Sequence, residues 1–180
     1  LAEMEKYDMV LFPCWGGPVA KAAALQSNLI KYTGEGGRAF VTHYSYTWLY
    51  NDAPFSGTAT WKVDQAHPTA SDLAPLTGIL DVSFPKGKAF QIWTDIVKAS
   101  AAPGSGTINI TYSRHDLDGV IPPSQRWIYS AAPSVPTIQH YTFNTPVGTA
   151  PADQCGRVVY SDFHVNNIGS SANLSFPDSK

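Results

Sequence analysis

The chain has 180 residues, 43% of them hydrophobic, which is enough to bury one core without help from metals or disulfides. Twelve basic and fourteen acidic side chains give a net charge of −2 with no cluster of Lys or Arg, so nucleic acid and anionic membranes are not expected partners. No apolar run is long enough to cross a membrane. Charged residues make up only 14% of the chain, a balance that favours a secreted or periplasmic protein.

The first quarter of the chain has the pattern of a strand–helix–strand unit. Residues 7–13 (YDMVLFP) are a short apolar run typical of a buried strand, and residues 38–43 (RAFVTH) predict a second one. Between them, residues 19–32 repeat apolar side chains at helical spacing, with Gly17 and Pro18 as the expected cap and first position. Such a unit closes right-handed and makes its two strands parallel.

The rest of the chain is richer in strand patterns. A helix is expected after Phe84-Pro85, with Phe90, Trp93 and Val97 on one face. Residues 58–65 alternate like a strand, and residues 73–82 are an apolar stretch broken by Pro75 and Gly78. Strand-like runs follow over residues 107–112, 125–130, 137–144 and 157–165, the last two forming a hairpin.

These elements predict one α/β domain over residues 1–165 and a partly ordered tail over residues 166–180. The expected fold class is a three-layer sandwich around a mostly parallel mixed sheet, flavodoxin-like or class I amidotransferase-like, with a β-rich C-terminal half.

Three segments follow predicted strands at their carboxyl ends, where ligands collect in open α/β sheets. The first strand runs into a loop with Gly16 and Gly17, the second ends at His43, and the last ends at Asp162 and His164. If these segments converge, the imidazoles can act as acid and base while the N–H groups of the glycine loop hold developing negative charge. His43, His164 and Asp162 are equally suited to hold a divalent metal ion, and their spacing does not choose between the two.

Structural roles explain the same residues. His43 is also read as a hydrogen-bonded residue at a strand end, and Asp162 as the cap of a turn. Trp15 and Tyr44 are expected to face the crevice, where exposed rings suit stacking on sugars, while Trp48 is expected inside the core. Core packing accounts for these rings nearly as well.

The two cysteines leave two alternatives open. Cys14 and Cys155 either pair in a disulfide or remain separate thiols. Cys14 ends a strand before Gly-Gly and a helix, which makes it a second candidate nucleophile. It has no acid–base neighbour in the sequence, and an inert thiol is the favoured interpretation.

The segments YDMVLFPCWGGPV and LIKYTGEGGRAFVTHYSYTWL resemble the front half of the class I glutamine amidotransferase-like superfold, particularly its ThuA-like (trehalose-utilisation) branch. The closing GRVVYSDFHV resembles the last strand of those proteins, and the whole is also similar to secreted bacterial proteins with carboxypeptidase-regulatory-like domains. The resemblance covers residues 7–50 and 137–165.

The resemblance implies roles for individual residues. It places Gly16 and Gly17 on the oxyanion loop and His164 on the cleft histidine. It places His43 where amidotransferases keep their nucleophilic cysteine, so amidotransfer is disfavoured, and the ThuA-like branch implies a sugar-related role.

The expected function is therefore an extracytoplasmic ThuA-like domain that binds or acts on a carbohydrate-type ligand in a histidine-containing crevice. If the protein is an enzyme, hydrolysis or elimination on a sugar derivative is expected. The alternative is a non-catalytic binding or structural module of a larger secreted protein.

Overall fold

A computed structural model describes residues 1–63, 75–130 and 137–163 of the chain. Two α-helices lie in this part, α1 at Ala23–Gly34 and α2 at Pro85–Ile96, and a 3-10 turn occupies His43–Trp48. The same described residues hold nine strands, β1 to β9, at Met9–Phe12, Arg38–Thr42, Ala59–Trp61, Leu76–Leu80, Thr107–Ile110, Leu117–Val120, Gln125–Ser130, Thr137–Thr145 and Gly156–Ser161. None of the helices described has the length and apolar character needed to span a bilayer.

Seven strands form one mixed sheet in the order β1-β2-β9-β8-β7-β4-β5, and β3 pairs with β6 in a separate antiparallel ribbon. Pairing is parallel between β1 and β2 and between β2 and β9. It is antiparallel between β9 and β8, β8 and β7, β7 and β4, and β4 and β5. The predicted β8–β9 hairpin is confirmed. The mostly parallel three-layer sandwich is wrong, because only the first two strands are joined through a crossover helix and the C-terminal half folds back through antiparallel pairs.

The parallel end of the sheet has one well-covered face. Val10 and Phe12 on β1 share that face with their β2 partners Ala39 and Val41, and the side chains of α1 complete the core. On the opposite face Met9 and Leu11 are 55% and 66% exposed. Within the described residues, this end of the sheet is therefore a two-layer structure, which is a second departure from the predicted sandwich.

Helix α2 covers the opposite face, at the antiparallel end of the sheet. Phe84 and Phe90 both make edge-on ring contacts with Trp127 of β7. The Trp127 indole donates a hydrogen bond to Thr142 Oγ1, and Thr142 pairs with Val159 of β9 in register. Because cross-strand partners point to the same face, α2 and α1 lie on different sides of the sheet.

Helix α2 forms where it was predicted, but its buried face is different. Gly87 and Thr94 are its buried residues and Phe90 packs beside them, whereas Trp93 and Val97 are exposed. A Cβ on Gly87 would lie 1.9 Å from the carbonyl oxygen of Asp81. The glycine thus allows a backbone approach that turns this side of the helix inward.

Helix α1 starts later than predicted. Its N-cap is Ala22, in an extended conformation and without a side-chain hydrogen bond to the helix, so Gly17 and Pro18 lie in the preceding loop. The helix buries Gln26, Leu29, Tyr32 and Thr33 against β2 and β9. This docking fixes the helix behind the loop that carries the candidate site.

Candidate functional site: a thiol–imidazole pair

The centre of the candidate site is a contact between Cys14 and His43. The Cys14 Sγ lies 2.9 Å from His43 Nδ1. Strands β1 and β2 are parallel and in register, with Phe12 opposite Val41, so the residues that follow them reach the same edge of the sheet. The thiol is half-buried and the imidazole is 2% exposed. An imidazole at this distance can take the thiol proton and leave a thiolate for nucleophilic chemistry.

Two side chains tie the strand ends together. Ser45 Oγ donates a hydrogen bond to the carbonyl of Pro13 at 2.7 Å, and Thr42 Oγ1 donates one to the carbonyl of Phe12 at 3.4 Å. These bonds join the turn that carries His43 to the residues that lead into Cys14. The pair is thereby held by backbone anchors on both sides, independently of the contact itself.

The backbone of His43 is left-handed, with φ at 49°. For a residue with a Cβ this conformation costs roughly 1–2 kcal/mol relative to a right-handed one. Sharp turns of this kind cluster at functional sites, where the surrounding structure has to hold them. Tyr160 supplies part of that support, because its hydroxyl lies 3.0 Å from the carbonyl oxygen of His43.

Tyr160 connects Asp162 to the backbone of His43. The Oδ1 of Asp162 lies 2.7 Å from the Tyr160 hydroxyl, and its Oδ2 accepts a hydrogen bond from the backbone N–H of Asp116 at 2.9 Å. Asp162 is completely buried. Burial, together with the neighbouring charge of Asp116, raises the pKa of Asp162 well above its ordinary value.

If Asp162 is neutral, both short contacts of the Tyr160 hydroxyl can be hydrogen bonds. The Tyr160 hydroxyl has one hydrogen and two acceptors nearby, Asp162 Oδ1 and the His43 carbonyl. When Asp162 is protonated, its own O–H donates to the phenol oxygen and frees the phenol hydrogen for His43. Asp162 is then a support for the site rather than the cap of a local turn.

Tyr44 connects the imidazole to a buried arginine. Its ring meets that of His43 edge-on at 4.4 Å between centroids, and the Arg114 guanidinium lies 4.2 Å from the Tyr44 centroid. Arg114 in turn makes two hydrogen bonds to the Asp116 carboxylate, at 2.6 and 2.8 Å. The half-buried Tyr44 therefore lies between the imidazole and the guanidinium, and it contacts both.

The glycine loop lies beside the sulfur. The N–H of Gly16 donates to Cys14 Sγ at 3.3 Å. Gly16 has φ at 76°, and a Cβ placed on Gly16 or Gly17 would have no heavy atom within 4 Å. Trp15 is 71% exposed. The loop therefore offers open space and an accessible indole next to the thiol, whereas Trp48 is half-buried and packs against Phe12.

The predicted metal ligands are not seen as a set. His164 lies outside the described residues, and the described part of the chain holds no group of three or more His, Cys, Asp or Glu side chains suited to an ion. Both oxygens of Asp162 already contact protein groups, and it is the backbone carbonyl of His43 that meets Tyr160.

Sequence reasoning undervalued Cys14. It looked for an acid–base partner near Cys14 along the chain, but the partner lies 29 residues away. The rule that selected His43, that parallel strands end at one edge, applies equally to Cys14 and would have paired them. Cys14 and Cys155 are both free thiols, which resolves the disulfide alternative.

Comparisons with models of known protein families and with curated proteins give no match.

Proposed function

We propose that this protein is an extracytoplasmic, ThuA-like domain that binds and acts on a carbohydrate-type ligand with Cys14 as nucleophile and His43 as base. The observation that carries the proposal is the 2.9 Å separation of Cys14 Sγ and His43 Nδ1 at the carboxyl ends of two parallel strands. Amidotransferase activity is not part of the proposal. The thiol here comes from the end of β1, whereas amidotransferases keep their nucleophilic cysteine at the turn where this chain has His43.

The chemistry that such a pair supports is acyl transfer to water. His43 takes the Cys14 proton, and the thiolate attacks the carbonyl carbon of an ester or lactone of a sugar derivative. The carbon–oxygen bond to the leaving alcohol breaks, the alkoxide takes the proton back from the imidazolium, and a thioester remains. Water activated by His43 then releases the acid and restores the thiol. The reaction is a hydrolysis and needs no further reactant.

The loop beside the pair suits a sugar ring. Trp15 directly follows Cys14 and exposes 71% of its surface. Indole faces pack well on the apolar C–H faces of sugars. Gly16 and Gly17 leave the adjacent space open. Stacking on Trp15 would bring the ligand next to the sulfur.

The thiol can be tested directly with iodoacetamide, because Cys155 is an exposed thiol in the same chain. The variants Cys155→Ser and Cys14→Ser each leave one thiol to be followed by mass spectrometry. A free cysteine has a pKa of about 8.5, so at pH 6.5 a thiol paired with imidazole should react at least tenfold faster than an ordinary one, to order of magnitude. His43→Ala in the Cys155→Ser background should remove this advantage.

The proposal fails if Cys14 reacts no faster than Cys155 across pH 5 to 9 and His43→Ala changes nothing. Hydrolysis of acetylated monosaccharides and of sugar lactones, compared between the native chain and Cys14→Ser, then tests the reaction class. Activity that survives Cys14→Ser would rule out Cys14 as the nucleophile.

The exposed sheet face favours a second candidate, the non-catalytic module of a larger protein. Met9 and Leu11 are more than half exposed on the same face of β1, which is an edge strand. Exposed apolar groups of this kind commonly mark contact surfaces. Leu11→Lys should then weaken association with the remainder of a larger chain while Cys14→Ser does not, and the reverse result would support the thiol site alone.

A further inference from the structure

A lysine ammonium lies against the aromatic groups on both sides of the candidate site. Lys21 Nζ is 5.2 Å from the centroid of the Trp15 ring and 5.2 Å from that of the Trp48 ring. Trp15 is the residue after Cys14, and Trp48 ends the 3-10 turn that begins with His43. The ammonium therefore bridges the loop that carries the thiol and the turn that carries the imidazole.

The indoles position this charge without neutralising it. Cation–π contacts hold an ammonium in place through the negative ring face, but they leave its net charge intact. Some lysines of the described chain are paired with carboxylates: Lys31 of α1 with Glu35, and Lys62 with Asp118. Among the described residues, Lys21 makes no salt bridge with a carboxylate. The Lys21 ammonium is thus held against the residue that follows Cys14, where it can bind an anion.

We infer that Lys21 is an anion-binding subsite of the Cys14–His43 site, and that the ligand carries a carboxylate next to the ring that stacks on Trp15. This inference rests on the proposed function and narrows its ligand class to acidic sugar derivatives. A compact ammonium suits a single carboxylate as a point charge, while Trp15 contributes the surface for the attached ring. The two groups are adjacent, so one ligand can use both.

The second cation near the site, Arg114, is already paired with a carboxylate. Arg114 lies over the Tyr44 ring, but its guanidinium forms two hydrogen bonds with Asp116 and is only 3% exposed. Lys21 is half-buried and approachable. Of the two, Lys21 is the cation that a ligand carboxylate can reach.

Two alkylating reagents of nearly equal size test the subsite. Iodoacetate carries a carboxylate and iodoacetamide does not, so the ratio of their rate constants at Cys14 measures attraction of an anion. In the Cys155→Ser background we expect Lys21→Gln to lower that ratio about tenfold at low ionic strength, with added salt reducing the difference. Lys31→Gln is the matched control, because it removes the same charge from α1 and should leave the ratio unchanged.

An unchanged ratio in Lys21→Gln, or an equal fall in Lys31→Gln, would overturn the subsite. If Cys14 reacts slowly with iodoacetamide while Lys21 is present, the proposed function is wrong. The ratio of the iodoacetate and iodoacetamide rate constants would still show whether Lys21 attracts anions to this loop.

Protection of Cys14 by sugars gives a second measurement. D-glucuronate should slow alkylation of Cys14 far more than D-glucose does, and this preference should disappear in Lys21→Gln; equal protection by the two sugars would also count against the inference.

Discussion

The hydroxyl of Tyr160 lies 3.0 Å from the carbonyl oxygen of His43, and so links the last strand of the sheet to the turn that carries the imidazole. The two residues are 117 positions apart in the chain. This contact supports a left-handed backbone at His43, with φ at 49°. The geometry of the candidate site thus depends on a group that touches neither the thiol nor the imidazole in the contacts described above.

Tyr160→Phe should lower both stability and thiol reactivity. Loss of the hydroxyl leaves the buried His43 carbonyl and Asp162 without that partner, which typically costs about 1–3 kcal/mol in the free energy of unfolding. Because the turn is then less firmly held, alkylation of Cys14 at pH 6.5 should slow. Urea unfolding and iodoacetamide kinetics measure the two effects.

Tyr141→Phe is the matched control for that prediction. Tyr141 is also completely buried, and its hydroxyl lies 3.0 Å from Thr58 Oγ1. Its loss should destabilise the protein without slowing Cys14. If both variants slow Cys14 to the same extent, the specific support of His43 by Tyr160 is contradicted.

Asp162→Asn should become relatively more stabilising as the pH rises. Burial raises the pKa of Asp162 above its unfolded value, so the protonated folded form is favoured below about pH 3.9 and that advantage is lost as pH rises towards the folded pKa. Asparagine keeps a donor for Tyr160 and an acceptor for the Asp116 N–H without a titration. The difference in unfolding free energy between Asp162→Asn and the native chain should therefore shift in favour of the variant from pH 4 to pH 7.

Asp118→Asn should show the opposite trend. Burial alone would raise the pKa of Asp118, but hydrogen bonds from Lys62 and His115 outweigh it and lower the pKa. Its contribution to stability is present above the unfolded pKa and is lost as the pH falls, so this variant should be least favourable near neutral pH. Parallel pH trends for the two variants would show that the assignment of Asp162 is wrong.

His140 should make the protein sensitive to mild acid. Burial lowers the pKa of His140 from 6.5 to about 4, while its Nδ1 lies 2.7 Å from Ser161 Oγ. The neutral ring contributes stability above the unfolded pKa, and that contribution is lost as the pH falls from 6.5 towards 4. His140→Gln should flatten the dependence of melting temperature on pH in this window. An equally steep profile in His140→Gln would assign the acid sensitivity to other groups.

Gly87→Ala should destabilise the antiparallel end of the sheet. The added Cβ would meet the carbonyl of Asp81 at 1.9 Å, which forces α2 away from β4. Overpacking of this kind costs roughly 1–3 kcal/mol in the free energy of unfolding. Gly57→Ala is the control, since a Cβ there meets no heavy atom within 4 Å. Comparable melting temperatures for the two variants would contradict the close approach of α2.

Local patterns predicted the elements better than their arrangement. The apolar runs ending near Phe12 and Thr42 and the helix between them were found, because their periodicities are strong. Strand β6, Leu117–Val120, was missed because Asp118 and Gly119 break the alternation of apolar residues. The mostly parallel sheet was inferred from a single crossover unit. In the C-terminal half, the apolar pattern of a strand does not show whether the strand pairs parallel or antiparallel with its neighbours.

Only the part of the site that follows from strand ends could be predicted from the sequence. His43 and the glycine loop were placed at one edge by a general rule about parallel strands, and the structure brings them together. The supporting role of Tyr160 depends on contacts across more than a hundred residues, which no spacing in the sequence reveals. The buried contact of Asp162 was likewise hidden, since the Asp116 N–H that bonds to it lies 46 residues away in the chain.

The left-handed backbone at His43 limits which residues can replace it. Glycine adopts that conformation without the steric cost that a side chain adds, but it would leave empty the space of a ring that is only 2% exposed. A replacement therefore has to tolerate the backbone and fill the buried space at the same time. Few residue types do both, so position 43 leaves little room for neutral substitution.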